Sequence, residues 1–383
     1  MRNRQVLIIP VTFGFGPASH AVTIAETLRG MDPEIVLTGS GDGAAVELML
    51  GSDMFDAVIE TEAGRLSSSF NADNYAAAVV VGDFERAGHL AGLSERTVFV
   101  DALYWMWPED PLPQVAAAAY LCLEFPGVRA RLEQSIHSVE VARQVNQILE
   151  PGPPVLSESE RDRLVVVNLG GAVSPFGTNY DYLSVLVRII SDAVQEACRD
   201  SEVVITCSTH AAMELQARAA DDQYGSFSFT TPRGMQSMLQ RAELLITLPG
   251  MSIVWEALHT EVPTLLLPAA NYSQHRQTAA YREYLACEIV EWTALEGYEE
   301  VAGGLPEEDG SAHAADLLAR FVEDEAARRT LREILQAKLE RGVGPVRALE
   351  GGPYWQAFGG AEDVAHEVLR VMASRLVRDE RLS

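Results

Sequence analysis

The sequence predicts an α/β protein of two Rossmann-like, doubly wound domains, and three observations predict it. At 383 residues the chain is longer than one hydrophobic core usually supports. Short β-branched runs alternate with amphipathic stretches, the pattern of parallel strands with helices on both faces. The alternation is broken by three prolines and a polar run in "LEPGPPVLSESERDR" (149–163), where a domain boundary belongs. The expected domains are therefore residues 1–155 and 156–350, followed by a terminal segment, 351–383.

In the first domain the expected strands are Gln5–Val11, Glu34–Leu37, Ala57–Ile59, Ala78–Val81 and Thr97–Val100. Between the first two, "SHAVTIAETLRG" places Ala21, Ile24, Ala25 and Leu28 on one helical face and stops at Gly30, which makes a βαβ unit. In the second domain "RLVVVNLGG", "EVVITCS", "SFSFT", "ELLITLPG" and "PTLLLP" read as strands, with helices from Asp181, Ala211, Gly234 and Ser252. After the aromatic turn Tyr354-Trp355-Phe358, "GAEDVAHEVLRVMASRLV" carries Val364, Val368, Val371 and Met372 on one face. That stripe has to be buried, and a crossover back to the first domain would bury it.

Composition narrows the function. Hydrophobic residues make up 48% of the chain, and no apolar run approaches the ~20 residues of a membrane span, so no stable membrane insertion is expected. With no cleavage-site pattern after the first apolar run, the expected location is cytoplasmic. The charge of −26, without a clustered basic stripe, argues against nucleic acid as a partner. Acidic stretches such as "EGYEEVAGGLPEEDGS" read as solvated faces and loops. Cys122, Cys198, Cys207 and Cys287 lack zinc-site spacing, and neither a metal nor a disulfide is expected. A homodimer stays open.

"TLPGMSIVWEALHTEVPTLLLP" (247–268) carries the chemistry. A strand ends, the chain turns on Pro249-Gly250, and a helix begins with Met251 and Ser252. In an open α/β sheet ligands bind beyond the carboxyl ends of the strands, where a helix N-terminus offers N–H groups to a phosphate. Gly250 lets backbone approach a diphosphate, Ser252 adds a hydroxyl, and Glu256 one turn on can accept both hydrogen bonds of a ribose diol.

The longer stretch "AELLITLPGMSIVWEALHTEVPTLLLPAANYSQHRQTAAY" (242–281) resembles the donor-nucleotide signature of GT-B glycosyltransferases of the MurG and UDP-glycosyltransferase type. Gly250, Met251 and Ser252 fall on its phosphate turn, Glu256 on its ribose-binding acid, and Pro263 and Pro268 on its two prolines. Gln274 falls on its glutamine, one of the pair that contacts the donor sugar, and Gln277 on its asparagine. Pro249, Glu261, Ser273 and Thr278 depart from the pattern. The resemblance implies two domains facing a cleft, a nucleoside-diphosphate sugar of UDP or dTDP type as donor substrate, no cofactor, and a small-molecule acceptor of secondary metabolism on the first domain. It further implies Gly171, beside the donor, and Arg233, in the loop that holds the nucleotide base, as donor contacts. No D-x-D pattern is present, and Leu248 stands where retaining relatives have glutamate, so inversion without a metal is expected.

"PVTFGFGPASHAVTIAETL" is similar to the glycine-rich acceptor turn of the same enzymes. It makes Gly14, Phe15 and Gly16 acceptor contacts and His20 the candidate general base. Asp101, ending "RTVFVD", is the second candidate, as base or as orienter of His20, and Asp83 is the third. Tyr104, Trp105 and Trp107 in "DALYWMWPED" could wall the acceptor pocket or anchor their loop. One competing motif stays open. "EIVLTGSGDGAAVELM" holds Gly39-x-Gly41-x-x-Ala44, with Glu60 about twenty residues on, the spacing of a dinucleotide fingerprint in an NAD(P)-dependent oxidoreductase. A nucleotide-sugar epimerase or a non-catalytic binder on the same fold is the third class.

Overall fold

The structure, a computed structural model, describes residues 4–12, 14–61, 71–107, 115–135, 142–150, 155–172, 177–218, 225–349 and 358–382. The chain forms two compact units, Met1–Pro151 with Gln356–Ser383, and Gly152–Trp355. The prolines at 151, 153 and 154, and Tyr354 and Trp355 of the aromatic turn, lie outside the described residues.

The first unit is a parallel sheet of β1 (Gln5–Pro10), β2 (Val36–Gly41), β3 (Ala57–Glu60), β4 (Ala77–Val81), β5 (Thr97–Asp101), β6 (Ala119–Leu123) and β7 (Ala142–Val145). Its order is β3-β2-β1-β4-β5-β6-β7, so the sheet winds outward in one direction from β1 and in the other from β4. The connecting helices are α1 (Gly16–Met31), α2 (Gly43–Gly51), α3 (Phe84–His89) and α4 (Val128–Ser135). β4, in the middle of the sheet, is apolar and buried at every position, as a strand covered by helices on both faces must be.

Two expectations change here. β2 starts at Val36 and runs through Gly41, so "TGSG" belongs to the strand and is not a turn after it; Gly39 pairs with Ile8 on one side and Val58 on the other. β6 and β7 were not expected. "AYLCL" sits in an alanine-rich apolar run with no period of its own, and pairing with β5 makes it a strand.

The second unit repeats the plan with β8 (Leu164–Asn168), β9 (Glu202–Thr206), β10 (Ser226–Ser228), β11 (Leu244–Thr247), β12 (Thr264–Leu266), a short β13 (Leu285–Ala286) and β14 (Glu288–Ile289). The sheet order is β10-β9-β8-β11-β12-β14, while β13 pairs separately with β15 (Arg347–Ala348). Its helices are α5 (Tyr180–Ala197), α6 (Thr209–Arg218), α7 (Pro232–Arg241), α8 (Met251–Thr260), α9 (Tyr272–Tyr284), α10 (Glu307–Glu323) and α11 (Glu325–Arg341). The stripe Leu183, Leu186, Val187, Ile190 and Val194 of α5 joins Phe321 of α10 and Leu331 and Leu335 of α11 in one buried cluster. The acidic stretch is loop and then helix, with Glu307, Glu308 and Asp309 in the first turn of α10, where carboxylates interact favourably with the helix dipole.

The last helix, α12 (Gly360–Leu382), belongs to the first unit and packs on α1, β4 and β5. Val364 and Val368 of its apolar stripe are fully buried. Asn146 Nδ2 donates to the Phe358 carbonyl at 2.7 Å, and Arg143 pairs with Glu367 at 2.8 Å.

Candidate functional site

In the second unit the strand order reverses between β8 and β11, and open α/β sheets bind ligands at the carboxyl ends beside such a point. Three neighbouring strands end there on a polar residue, in register: Asn168 of β8 stands beside Thr206 of β9 and Thr247 of β11. All three are buried, and Asn168 bonds to both threonines. Asn168 Nδ2 donates to Thr247 Oγ1 at 3.2 Å, Thr206 Oγ1 donates to Asn168 Oδ1 at 3.1 Å, and the Gly170 amide donates to the same oxygen at 3.2 Å. The network fixes where the loops after β8 and β11 leave the sheet. Sequence reasoning passed over it, although "LVVVN", "EVVIT" and "LLIT" each close an apolar strand on a polar side chain.

After β11 the chain turns into α8 with Gly250 at the N-cap, and no side chain caps that end among the described residues. Gly250 has φ −85°, which any residue adopts, and a Cβ there would meet only Ile253 Cγ2, at an ordinary 3.5 Å. The fold therefore does not require this glycine. Met251 and Ser252 form the first turn, and Glu256 lies one turn further in, buried.

After β12, α9 starts at an N-cap, Asn271, whose Oδ1 accepts from the Gln274 amide at 3.0 Å and from Ser273 Oγ at 2.8 Å. Asn271 Nδ2 and Gln274 Nε2 both donate to the Gly171 carbonyl, each at 3.0 Å. Gln274 Oε1 accepts from the Ala270 amide at 2.8 Å. A Cβ on Gly171 would lie 2.6 Å from Gln274 Nε2, so here the glycine makes room for the amide. Gln277, one turn on, is buried, and its Oε1 has no hydrogen-bond partner among the described residues. Thus Gly171, Gly250, Met251, Ser252, Glu256, Gln274 and Gln277 belong to the loops and helix starts after three adjacent strands, β8, β11 and β12. Arg233 is on the same edge at its outer end, after β10, exposed on the first turn of α7.

The first unit's candidates are more deeply embedded. Gly14 takes φ +61°, a conformation that favours glycine, just before Phe15, the N-cap of α1, and Gly16, its first residue. His20 is 1% exposed on α1, and burial lowers its pKa to about 4 by penalising the charged ring. Asp101, equally buried, accepts from the Leu103 amide at 2.8 Å, Trp107 Nε1 at 2.9 Å and the Tyr120 hydroxyl at 2.6 Å. Burial pushes its carboxyl pKa up, and those three donors pull against the rise. The aromatic loop is held from within. Trp105 donates to the Ala102 carbonyl at 3.2 Å and stacks on Phe125 with centroids 4.4 Å apart, while the Arg131 guanidinium lies over buried Tyr104. Asp83, the third candidate, caps α3 and pairs with Arg86 at 3.3 Å.

The dinucleotide motif does not have the geometry that its spacing suggested. Gly39 and Gly41 lie inside β2, and a Cβ at Gly39 would stand 2.6 Å from Met49 Sδ, so that glycine lets α2 pack closely on the strand. At the N-cap of α2, where a fingerprint places the pyrophosphate, stands the carboxylate Asp42, paired with buried Arg86 at 3.2 Å. Glu60 is exposed and pairs in register with Gly41.

No protein-family model and no curated protein sequence matches the chain. Solved structures do. The chain is similar to Medicago truncatula UGT71G1 complexed with UDP-glucose, at 11% identity over 97% of this chain and 98% of that one, with a TM-score of 0.47. It is similar to Acinetobacter baumannii MurG at 13% identity over 96% of this chain and 99% of that one, with a TM-score of 0.46. It is also similar to a Listeria monocytogenes protein assigned as a UDP-N-acetylglucosamine 2-epimerase, at 13% identity over 90% of this chain and 92% of that one, with a TM-score of 0.47. At such identity and TM-score the likeness carries no statement about activity.

Proposed function

We propose that the chain transfers a sugar from a nucleoside-diphosphate sugar, of UDP or dTDP type, to a small-molecule acceptor. The observation that carries this reading is Gly250: a glycine the fold does not need, at a helix N-terminus beside the point where the strand order reverses. Close approach of a ligand gives that glycine a purpose, and the positive end of α8 makes the ligand an anion. Glu256, one turn inward, accepts the ribose diol, which makes the anion a nucleotide. As the bond between sugar and phosphate breaks, charge develops on the leaving diphosphate, and the α8 N-terminus stabilises that charge without reorganising. The acceptor hydroxyl attacks from the opposite face and gives its proton to a base, for which His20 and Asp101 are the candidates, giving inversion at the anomeric carbon.

Both candidate bases are embedded in the first unit. His20 is buried with a weakly basic ring, and Asp101 already accepts three hydrogen bonds. A nucleotide-sugar epimerase is the second reading, because it uses the same donor site; inverting a ring carbon removes a proton from one face and returns it on the other, so it too needs a base, but one that faces the donor and not an acceptor. Incubation with UDP-glucose and dTDP-glucose, followed by nuclear magnetic resonance, separates the two. With water as slow acceptor, release of nucleoside diphosphate together with the β-anomer of glucose is the expected result. Recovery of an epimerised, still nucleotide-linked sugar would replace the transferase reading, and an unchanged donor would count against both.

A further inference from the structure

The glutamine at 274 is turned away from the task that its place in the motif suggests. It is 2% exposed, and its amide is engaged at both ends: Oε1 with the Ala270 amide four residues back, and Nε2 with the Gly171 carbonyl a hundred residues away in sequence. Nε2 also occupies the space that a side chain at 171 would need, so the amide lies against the Gly171 backbone. Asn271 repeats the arrangement with its own Nδ2 on the same carbonyl, while its Oδ1 caps α9. Two side-chain amides from one helix start thus converge on one carbonyl oxygen. The loop after β8 is tied to the N-terminus of α9, across β11, the strand that leads into Gly250.

We propose that Asn271 and Gln274 are positioning residues that hold the Gly170–Gly171 turn in place for the donor diphosphate, and that Gln274 does not read the hydroxyls of the donor sugar. The inference rests on the donor reading above and sharpens it. Any reading of the sugar hydroxyls at this site then falls to residues other than Gln274. A side chain fixed at both ends cannot turn toward a sugar without giving up both hydrogen bonds.

Two isosteric substitutions test this. Gln274→Glu and Asn271→Asp each replace the donating NH2 by an oxygen facing the Gly171 carbonyl, and each keeps the acceptor that serves its own helix start; Asp is as good an N-cap as Asn. The readouts are amide hydrogen exchange at Gly170 and Ala172 in the ligand-free protein, and calorimetric affinities for UDP and for UDP-glucose. Both variants should speed that exchange about tenfold and weaken UDP and UDP-glucose by the same factor, about tenfold, and Gln274→Glu should lower the melting temperature as well, because it buries an acidic oxygen against a carbonyl. Weakening confined to UDP-glucose, with UDP binding and exchange as in the wild type, would overturn the inference and leave the donor reading standing. Unchanged exchange and unchanged affinity for both ligands would overturn it as well. If the wild type binds neither nucleotide, the donor reading falls first and the inference with it, a result distinct from either of the others.

Discussion

His20 shows how much of a residue's chemistry is decided by what covers it. Its place near the start of the first helix made it the candidate base, but on α1 it is packed from all sides and its pKa falls to about 4 from the ordinary 6.5. A group whose folded pKa lies below its unfolded value binds its proton more weakly when folded. Its contribution is therefore intact above about pH 6.5 and is lost as the pH falls toward 4, a loss of ~3 kcal/mol over the window. His20→Gln removes this acid limb. Between pH 7 and pH 5 the melting temperature of the wild type should fall by several degrees more than that of the variant, and parallel falls would contradict the burial. Asp101 teaches the same lesson. That it ends a strand was legible, but one of its three donors, Tyr120, reaches it only through the pairing of β5 with β6. Glycines were equally visible as letters and not as reasons: Gly39 yields to Met49, Gly171 to Gln274, and Gly250 to no neighbour within the fold.

At the scale of elements, α8 is where stability and binding separate. A methyl at Gly250 meets only an ordinary contact, so Gly250→Ala should cost no more than about 1 kcal/mol in urea unfolding, the difference between glycine and alanine at an N-cap. The same methyl stands where a diphosphate approaches the first turn, and UDP affinity should fall tenfold or more. Equal affinity in the variant would remove the main support for an anion site there. The strand, turn and helix from Leu244 to Thr260 were legible because the apolar run, the Pro-Gly break and the amphipathic stretch agree with one another. β6 and β7 were not, since "AYLCL" lacks an alternation that distinguishes strand from helix and "ARQV" is a short polar edge strand. The Asn168–Thr206–Thr247 network was hidden for a related reason: three residues far apart in sequence become neighbours only through strand order and register.

For the molecule as a whole, two doubly wound sheets and a terminal helix with an apolar face were readable from alternation, from the proline-rich break and from one valine stripe. A crossover of that stripe to the first domain was expected too; which elements it covers there, α1, β4 and β5, was not, because a periodicity gives the face of a helix and not its partner. α12 spends the stripe on the first unit, with Val368 fully buried, so Val368→Ala should destabilise by about 2 kcal/mol. In hydrogen exchange the loosening should appear in α1 and β4 and spare the second unit; a change confined to residues 164–341 would contradict the assignment. The most direct test of the donor site is a thermal-shift comparison of wild type and Glu256→Ala with UDP, dTDP, GDP, NAD and NADP. One nucleoside diphosphate, at about 100 times its dissociation constant, should stabilise the wild type by ~2.7 kcal/mol and the variant far less. Stabilisation by NAD or NADP alone, or by a nucleoside diphosphate equally in both proteins, would contradict a nucleotide held by α8 and Glu256.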